Sequence, residues 1–283
     1  MEEKNLYIWD YAAKKYMKDD KPFDEWVKGQ NRISNDKATE YARLMKEWTD
    51  ADLKDGKYAK DKNVFVLDGI IDPETWERQP TKILFVLKEA YDKTDKKENG
   101  LYVWDEPEWL AEQIRTKSVR MGKTWRRVYQ WTHAILKWNA EMSTPRWDED
   151  TFGKIAVINV KKTNGESSSV DGELLTHAKR HSDRLIRQIR LINPDVIVYG
   201  YTCWLVDAAL SMSKNETIRG RKNDLLWYKT ESFTDKEITV IDFWHPACRE
   251  KDEKLYGDLL KSYRASVNGE VESSDFEENV VKE

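Results

Sequence analysis

Ionisable and amide side chains stand where apolar segments of this sequence end. Lys88 and Glu89 directly follow the segment KILFVL. Asn159 lies near the end of IAVINV, and His245 comes two residues after ITVIDF. A carboxylate, an amide and an imidazole can hold charge, bind a ligand through hydrogen bonds and move a proton. We therefore take these strand ends as the candidate site.

The apolar segments themselves predict the scaffold that would bring these groups together. Each is short, rich in Val and Ile and without strict alternation, which is typical of strands covered by helices on both faces of a mostly parallel sheet. Residues 63–69 form a fifth such segment and are interpreted as an edge strand. Segments with helical spacing lie between the strands, so the sequence predicts an α/β fold, a three-layer α/β/α sandwich. The predicted strands are residues 82–87, 155–160, 195–200 and 238–243.

The position of the site within such a sheet follows from its topology. In open α/β sheets, ligands bind beyond the carboxyl ends of the strands. Three of the four predicted strands end on polar groups, so we expect Glu89, Asn159 and His245 to converge there. The chain is divided into an N-terminal helical extension (1–62), an α/β domain (63–265) and an acidic, disordered tail (266–283).

Composition excludes several classes of protein. The 283 residues carry a formal net charge of −4, so the chain is not uniformly basic. No apolar segment approaches the roughly 18 residues of a membrane span, and the N-terminus has no signal-peptide pattern. With only Cys203 and Cys248, neither a disulfide framework nor a four-cysteine metal site is possible. We expect a cytoplasmic monomer without a membrane partner.

Four stretches resemble, in order and approximate spacing, the motifs of the uracil-DNA glycosylase superfamily. They are FVLKEAYD, VINVKKT, LIRQIRLINPDVIVYGYT and DFWHPA, within residues 63–263. In the branch that the chain most resembles, the first strand leads into Gly-Glu-Ala-Pro-Gly and the last ends in His-Pro-Ser. The resemblance implies a uracil-DNA glycosylase-like fold and an enzyme that flips a base out of DNA and hydrolyses its N-glycosidic bond.

The departures from that pattern concern the base pocket. Lys88 stands where the branch has Gly, Tyr91 where it has Pro, and Ala247 where it usually has Ser. These differences favour a damaged or modified base, such as a bulky modified pyrimidine in foreign DNA, over uracil itself. The iron-sulfur cysteines of the branch are absent, so we expect no cluster, no metal and no organic cofactor.

The resemblance implies catalytic roles for two residues. Breaking an N-glycosidic bond builds positive charge on the sugar and negative charge on the base. Glu89 would stabilise the sugar and orient the attacking water, while His245 would donate a hydrogen bond to the base. The structural alternatives are a helix cap or surface ion pair for Glu89 and a turn histidine for His245.

Base binding is assigned to three further residues. Asn159 would hydrogen-bond the edge of the extruded base, with Lys88 in the same pocket. Tyr91 is the first candidate for stacking on the base, and Tyr102 or Trp104 could serve instead. The alternatives are a structural turn amide for Asn159 and ordinary packing for Tyr91.

Basic residues cluster in residues 115–127, 178–190 and 219–222, where aromatic side chains interleave with the first cluster. Such surfaces suit phosphate contacts and base stacking on duplex or single-stranded DNA, although solvated helix faces explain most of these charges. Arg249 is the candidate wedge or phosphate contact. The other predicted DNA contacts are Arg120, Lys123, Arg126, Arg127, Lys161 and Lys162.

Two other kinds of function stay open from the sequence. One is a nucleic-acid-binding protein of the same fold without catalysis, because the Lys88 ammonium could neutralise Glu89. The other is an enzyme acting on a free nucleoside or nucleotide, which predicts a closed pocket without a basic groove. His177 and His181, one helical turn apart, are interpreted as solvated, because no Glu or Cys partner suggests a metal site.

Overall fold

A computed structural model describes residues 6–10, 15–54, 64–91, 101–115, 122–138, 150–165, 169–210, 218–222, 225–230 and 233–269. Within these residues the chain forms eleven strands and ten α-helices. The strands are β1 (Leu6–Asp10), β2 (Lys15–Asp19), β3 (Val64–Leu67), β4 (Gly69–Ile70), β5 (Ile83–Tyr91), β6 (Leu101–Asp105), β7 (Ile155–Gly165), β8 (Val196–Gly200), β9 (Ile218–Lys222), β10 (Leu225–Thr230) and β11 (Ile238–Phe243).

The helices alternate with the strands along most of the chain, and a 3₁₀ turn at Asn35–Lys37 precedes the second of them. The helices are α1 (Phe23–Gly29), α2 (Ala38–Lys54), α3 (Pro73–Arg78), α4 (Glu106–Arg115), α5 (Lys123–Leu136), α6 (Asp150–Gly153), α7 (Asp171–Arg180), α8 (Ser182–Ile192), α9 (Cys203–Leu210) and α10 (Asp252–Asn268).

The strands form one mixed sheet in the order β2-β1-β6-β3-β7-β5-β8-β11-β10-β9, with β4 paired to β7. The four central strands, β7, β5, β8 and β11, are mutually parallel. Alternate residues of these strands enter two separate cores: Leu84 and Val86 face one side, and Phe85 and Leu87 the other. The prediction of a three-layer α/β/α sandwich with a mostly parallel sheet is therefore confirmed.

Local sequence explains where several helices begin and end. The Asp72 carboxylate accepts hydrogen bonds from the backbone N–H groups of Glu74 and Thr75, and Pro73 occupies the first helical position of α3. Helix α8 ends at Asn193, which adopts the left-handed conformation (φ 54°) directly before Pro194. The same sequence that stops α8 therefore delivers the chain into β8.

The N-terminal segment differs from the predicted helical extension. It contributes strands β1 and β2 to the sheet, where β1 runs parallel to β6. Trp48 of α2 packs in the same hydrophobic core as the central strands. The Arg32 guanidinium also forms a buried ion pair with Asp105 at 3.0 Å. The segment is thus built into the α/β domain.

The position of β3 and the end of the α/β domain also differ from the prediction. Strand β3 was predicted at a sheet edge, but it lies between β6 and β7. Helix α10 continues to Asn268, beyond the predicted end of the domain at residue 265. The remainder of the predicted acidic tail, residues 270–283, lies outside the described residues.

Candidate active site

The carboxyl ends of β5, β8 and β11 meet at one edge of the sheet, and Gly200 makes their close approach possible. Strand β8 pairs with both neighbours, and the Tyr201 N–H donates to the Phe243 carbonyl at 2.8 Å. A Cβ at Gly200 would lie 2.8 Å from Leu87 Cδ2 and 3.2 Å from Pro246 Cδ. Strand β5 lies between β7 and β8, so the order in which successive strands join the sheet changes direction at β5. Ligands favour such switch points.

His245 lies at this edge, in the turn after β11. Its Nδ1 accepts a hydrogen bond from the Ala247 N–H at 3.1 Å, and its carbonyl accepts from the Cys248 N–H at 2.9 Å. Burial and the positive charge of Lys88 lower the pKa of His245 to about 4. The imidazole is therefore neutral at pH 7. Because Nδ1 is an acceptor, the proton resides on Nε2, which can donate to a ligand.

Lys88 and two exposed aromatic residues lie at the same strand ends as His245, and groups of these kinds suit a planar ligand. The Lys88 Nζ lies 3.3 Å from an Asp171 carboxylate oxygen and 4.7 Å from the centroid of the Tyr201 ring. Tyr201 has a positive φ of 60°, uncommon for a residue with a side chain, and 46% of it is exposed. Trp244, next to His245 in the chain, is 44% exposed.

The Glu89 side chain is buried, with only 6% of it exposed, so it does not lie at the mouth of an open cleft. Its carboxylate forms an ion pair with the Lys161 ammonium at 2.6 Å, and Lys161 also contacts Glu173 of α7 at 2.8 Å. Gly165 allows this placement, because a Cβ there would come within 2.2 Å of Glu89 Cδ. The opposite charge that accompanies Glu89 is therefore Lys161 rather than its neighbour in the sequence.

Asn159 is enclosed in a buried polar network. Its Nδ2 donates to Glu106 at 2.7 Å, and its backbone N–H donates to the Asp68 carboxylate at 2.7 Å. Asp68 also accepts from Lys162 and from Gln188. The amide of Asn159 is thus committed to partners inside the protein, away from an extruded base.

Burial makes Glu106 an unusual member of this network. Burial and the charge of Asp68 raise the pKa of Glu106 from 4.5 to about 8. At pH 7 the Glu106 carboxyl is therefore protonated in the folded protein and ionised in the unfolded chain. Between these two pKa values the unfolded state binds fewer protons, so Glu106 lowers the stability of the fold as the pH rises.

Replacing Glu106 with Gln should remove this pH dependence. Gln keeps an oxygen that can accept from Asn159 and has no proton to lose. We expect the unfolding free energy of Glu106→Gln, relative to that of the wild type, to increase by about 3 kcal/mol as the pH rises from 5 to 8. Urea unfolding at both pH values measures the gain. Glu108→Gln, at a side chain 40% exposed, is the control, and an equal pH response of both variants would refute the assignment.

Arg127 of α5 holds the loop that follows His245. Its side chain is 1% exposed and forms an ion pair with Asp252 at 2.8 Å. Its Nη1 donates to the carbonyls of Pro246 and Cys248 at 2.9 and 2.8 Å, and its Nη2 donates to the Glu250 carbonyl. One buried guanidinium thus fixes residues 246–250 and the start of α10.

Replacing Arg127 with Met should therefore loosen this loop. The change leaves several acceptors without their donor, and we expect a loss of about 2–4 kcal/mol in unfolding free energy. Amide hydrogen exchange should accelerate at residues 246–250. Arg126→Met is the matched control, because Arg126 contacts the same Asp252 from an exposed position and should cost under about 1 kcal/mol. Similar losses in both variants would contradict the role of Arg127.

The predicted DNA contacts divide into exposed and buried residues. Lys123, Arg126 and Arg249 are exposed. Arg127, Lys161 and Lys162 are buried, with Lys162 completely enclosed against Asp68, so the structure corrects their prediction as surface contacts. Arg120 and the side chain of Tyr91 lie outside what the structure describes. Of the alternatives to Tyr91 on β6, Tyr102 is buried and stacks on Tyr7.

The prediction that His177 and His181 are solvated is wrong. Both are completely buried, and His181 Nε2 lies 2.7 Å from a carboxylate oxygen of Asp52. Helical spacing alone places the two histidines on one face, but the partner comes from α2, more than a hundred residues earlier. Sequence spacing could not reveal that contact.

Sequence reasoning also missed several groups at the strand ends. Tyr201 and Trp244 directly follow β8 and β11 and were available from the same argument that selected His245. The same argument could not select Asp171, because this residue begins helix α7 and does not end a strand. A separate cavity of about 360 Å³ lies at the opposite edge, near the amino ends of β5 and β8, and its lining includes Trp76, Lys82 and Asn193.

Among the described residues, no helix is both long and apolar enough to cross a bilayer. Neither a protein-family model nor a curated protein sequence matches this chain.

Proposed function

We propose that this chain is a DNA glycosylase acting at the edge formed by the ends of β5, β8 and β11. The observation that carries the proposal is the state of His245: a neutral imidazole whose Nδ1 is an acceptor, which leaves Nε2–H to donate. The motif resemblance supports the same assignment. A uracil-like, damaged or modified base is the proposed target.

The chemistry asks for a hydrogen-bond donor beside the departing base. The carbon–nitrogen bond breaks and its electron pair leaves with the base, while water bonds to the anomeric carbon and gives up one proton. The base takes up one proton, so the products are the free base and an abasic sugar. A neutral donor suits this step, because it stabilises the developing negative charge without holding an ion pair before reaction. The Lys88 ammonium adds positive charge on the same side.

The sugar side of the reaction needs a carboxylate, and two lie next to Lys88: Glu89 adjoins it in the chain, and Asp171 contacts it at 3.3 Å. Glu89 is the assignment from the motif, but the Lys161 ion pair at 2.6 Å holds it. Asp171 is exposed and contacts Lys88. Either could stabilise positive charge on the sugar and orient water. Glu89→Gln and Asp171→Asn therefore belong in the same experiment.

The exposed aromatic rings and basic residues supply the rest of a DNA-binding surface. Tyr201 and Trp244 could stack on an extruded base or its neighbour, a contact worth about 1–3 kcal/mol per base. Arg126 and Arg249 are exposed near this loop and could contact phosphates. We propose that the enzyme works as a cytoplasmic monomer on duplex or single-stranded DNA, without a cofactor in the reaction.

A binding protein without catalysis is the second candidate, and one observation favours it. Glu89 is enclosed with Lys161, and Asn159 is committed to Glu106 and Asp68, so two groups assigned to catalysis and base recognition are engaged elsewhere. Under this alternative the edge recognises a base but does not release it.

The two candidates separate in one experiment. The purified protein is incubated with duplex and single-stranded DNA carrying uracil, damaged bases or hypermodified pyrimidines, and abasic sites are measured. We expect abasic products from at least one base, with loss of activity in His245→Ala and in one of Glu89→Gln or Asp171→Asn. His133→Gln serves as the control histidine variant. Binding without abasic product from any base would reject the glycosylase and support the binding protein.

A further inference from the structure

Three side chains with metal-ligating atoms lie together inside the protein, where the end of α2 meets the junction of α7 and α8. Asp52, His177 and His181 each offer a donor atom, and these atoms lie within 4.8 Å of one another. All three residues are buried. The cluster plays no part in the proposed base excision.

Three helices position the cluster. Asp52 lies in the last turn of α2, His177 in the last turn of α7, and His181 at the junction of α7 and α8. The His181 N–H donates to the His177 carbonyl at 3.0 Å, which keeps both imidazoles on one helical face. Trp48 stacks on the His181 ring with centroids 5.1 Å apart and so fixes its plane.

The polar atoms of this cluster are not all satisfied by the protein. Oδ2 of Asp52 and Nδ1 of His181 are buried without a hydrogen-bond partner among the described residues. Orphaned polar atoms in an interior are costly and call for an explanation. A cation bound between Asp52 and the two imidazoles would satisfy the Asp52 oxygen that lacks a partner.

We propose that Asp52, His177 and His181 bind a divalent transition metal, with Zn²⁺ as the best fit. Two imidazole nitrogens and a carboxylate form a donor set that Zn²⁺ favours. The second oxygen of Asp52, or a water, would complete four-coordination. Burial of all three side chains gives the metal a structural role.

Formal charges nearby are compatible with a dication. Glu89, Lys161 and Glu173 form a connected group with a net charge of −1, from two carboxylates and one ammonium. Asp52 adds another −1, so a divalent cation would bring the total to zero.

Metal binding requires a small rearrangement. With zinc–ligand bonds of about 2.0–2.1 Å, tetrahedral donors stand about 3.3 Å apart. His181 Nε2 and Asp52 Oδ1 are 2.7 Å apart and would open by about 0.6 Å if both bind the metal. Other donor pairs would close from at most 4.8 Å. Side-chain rotations suffice for such shifts, and the result would fasten α2 to the α7–α8 junction.

The test uses the full chain and the metals themselves. Metal content is measured in protein purified without added metal, which is then stripped with a chelator and titrated with Co²⁺ and Zn²⁺. We expect one metal per chain, a Co²⁺ absorption spectrum of tetrahedral nitrogen and oxygen ligands, and a rise of several degrees in the unfolding temperature with Zn²⁺ but not Mg²⁺.

Variants locate the site. Asp52→Asn and His177→Gln should each weaken Zn²⁺ binding by about 100-fold or more, and the double variant His177→Gln/His181→Gln should abolish it. His133→Gln should bind as the wild type does. If the wild type binds neither Co²⁺ nor Zn²⁺, the proposal is overturned. This outcome does not depend on whether the variants fold. Thiolate bands in the Co²⁺ spectrum would also overturn it, because they would place the metal at a cysteine.

Discussion

Replacing Asp68 with Ala should lower the unfolding free energy by about 3–5 kcal/mol, the largest stability effect that we expect from a single substitution. Asp68 is completely buried and accepts hydrogen bonds from Lys162 at 2.6 and 2.8 Å, from Gln188 at 2.8 Å and from the Asn159 N–H at 2.7 Å. Its removal leaves the Lys162 ammonium enclosed without its main counter-ion. Urea unfolding measures the loss.

A double variant separates the charge from the packing. In Asp68→Ala/Lys162→Met, neither partner charge remains, and Met can still pack on Trp48, whose ring lies 4.8 Å from the Lys162 Nζ. We expect the double variant to be more stable than Asp68→Ala alone, since no buried charge is left unpaired. If the losses of the single variants Asp68→Ala and Lys162→Met simply add in the double variant, the ion pair does not control the stability of this network.

Replacing His245 with Ala should reduce the rate of base release by about 10²–10³-fold, on the base that the DNA panel identifies. The imidazole would no longer supply its Nε2–H donor to the departing base. Single-turnover kinetics with enzyme in excess measures this step apart from product release. Unfolding free energy should change by no more than about 1–2 kcal/mol, because His245 lies in a half-buried turn.

The pH dependence of this reaction gives a second test of the same residue. The neutral imidazole is the proposed active form, and burial with the Lys88 charge lowers the pKa of His245 to about 4. The contribution of His245 should therefore stay constant from pH 8 to pH 5 and fall only near pH 4. A decline in the wild-type rate centred near pH 6.5, absent from His245→Ala, would contradict the assigned state.

The fold class could be predicted from the sequence because its signal is local. Runs such as ILFVL and VIVYG are short, apolar and rich in Val and Ile, which is typical of strands covered on both faces. The flanking strands were harder. Strand β6 alternates aromatic and aliphatic residues within an acidic context, and strands β1 and β2 join the sheet only through pairing with β6 and with each other.

The candidate site shows the same division between local and long-range information. Lys88 and His245 could be placed together because both follow apolar segments of parallel strands, whose carboxyl ends lie side by side. The burial of Lys162 could not be predicted, since its partner Asp68 lies 94 residues earlier in the chain. Without that partner, a lysine in a sequence such as NVKKT indicates a surface position.

Asn159 and Glu89 illustrate the same limit. The sequence placed each at the end of a strand, but β5 continues to Tyr91 and β7 to Gly165. The direction of each side chain is set by residues on other elements: Glu106 and Asp68 for Asn159, Lys161 for Glu89. Gly165 contributes by leaving room for the Glu89 carboxylate. Position along a strand predicts proximity to a site, but not which groups the side chain will contact.

The proposed function depends on the tautomer and the pKa of His245, and imidazole NMR measures both. With only four histidines in the chain, ¹⁵N-histidine labelling and a His245→Gln variant assign its signals. We predict a neutral Nε2–H tautomer at pH 7, a titration midpoint near 4, and a shift of its resonance when DNA carrying the recognised base is added. A midpoint near 6.5 with no response to DNA would contradict the account.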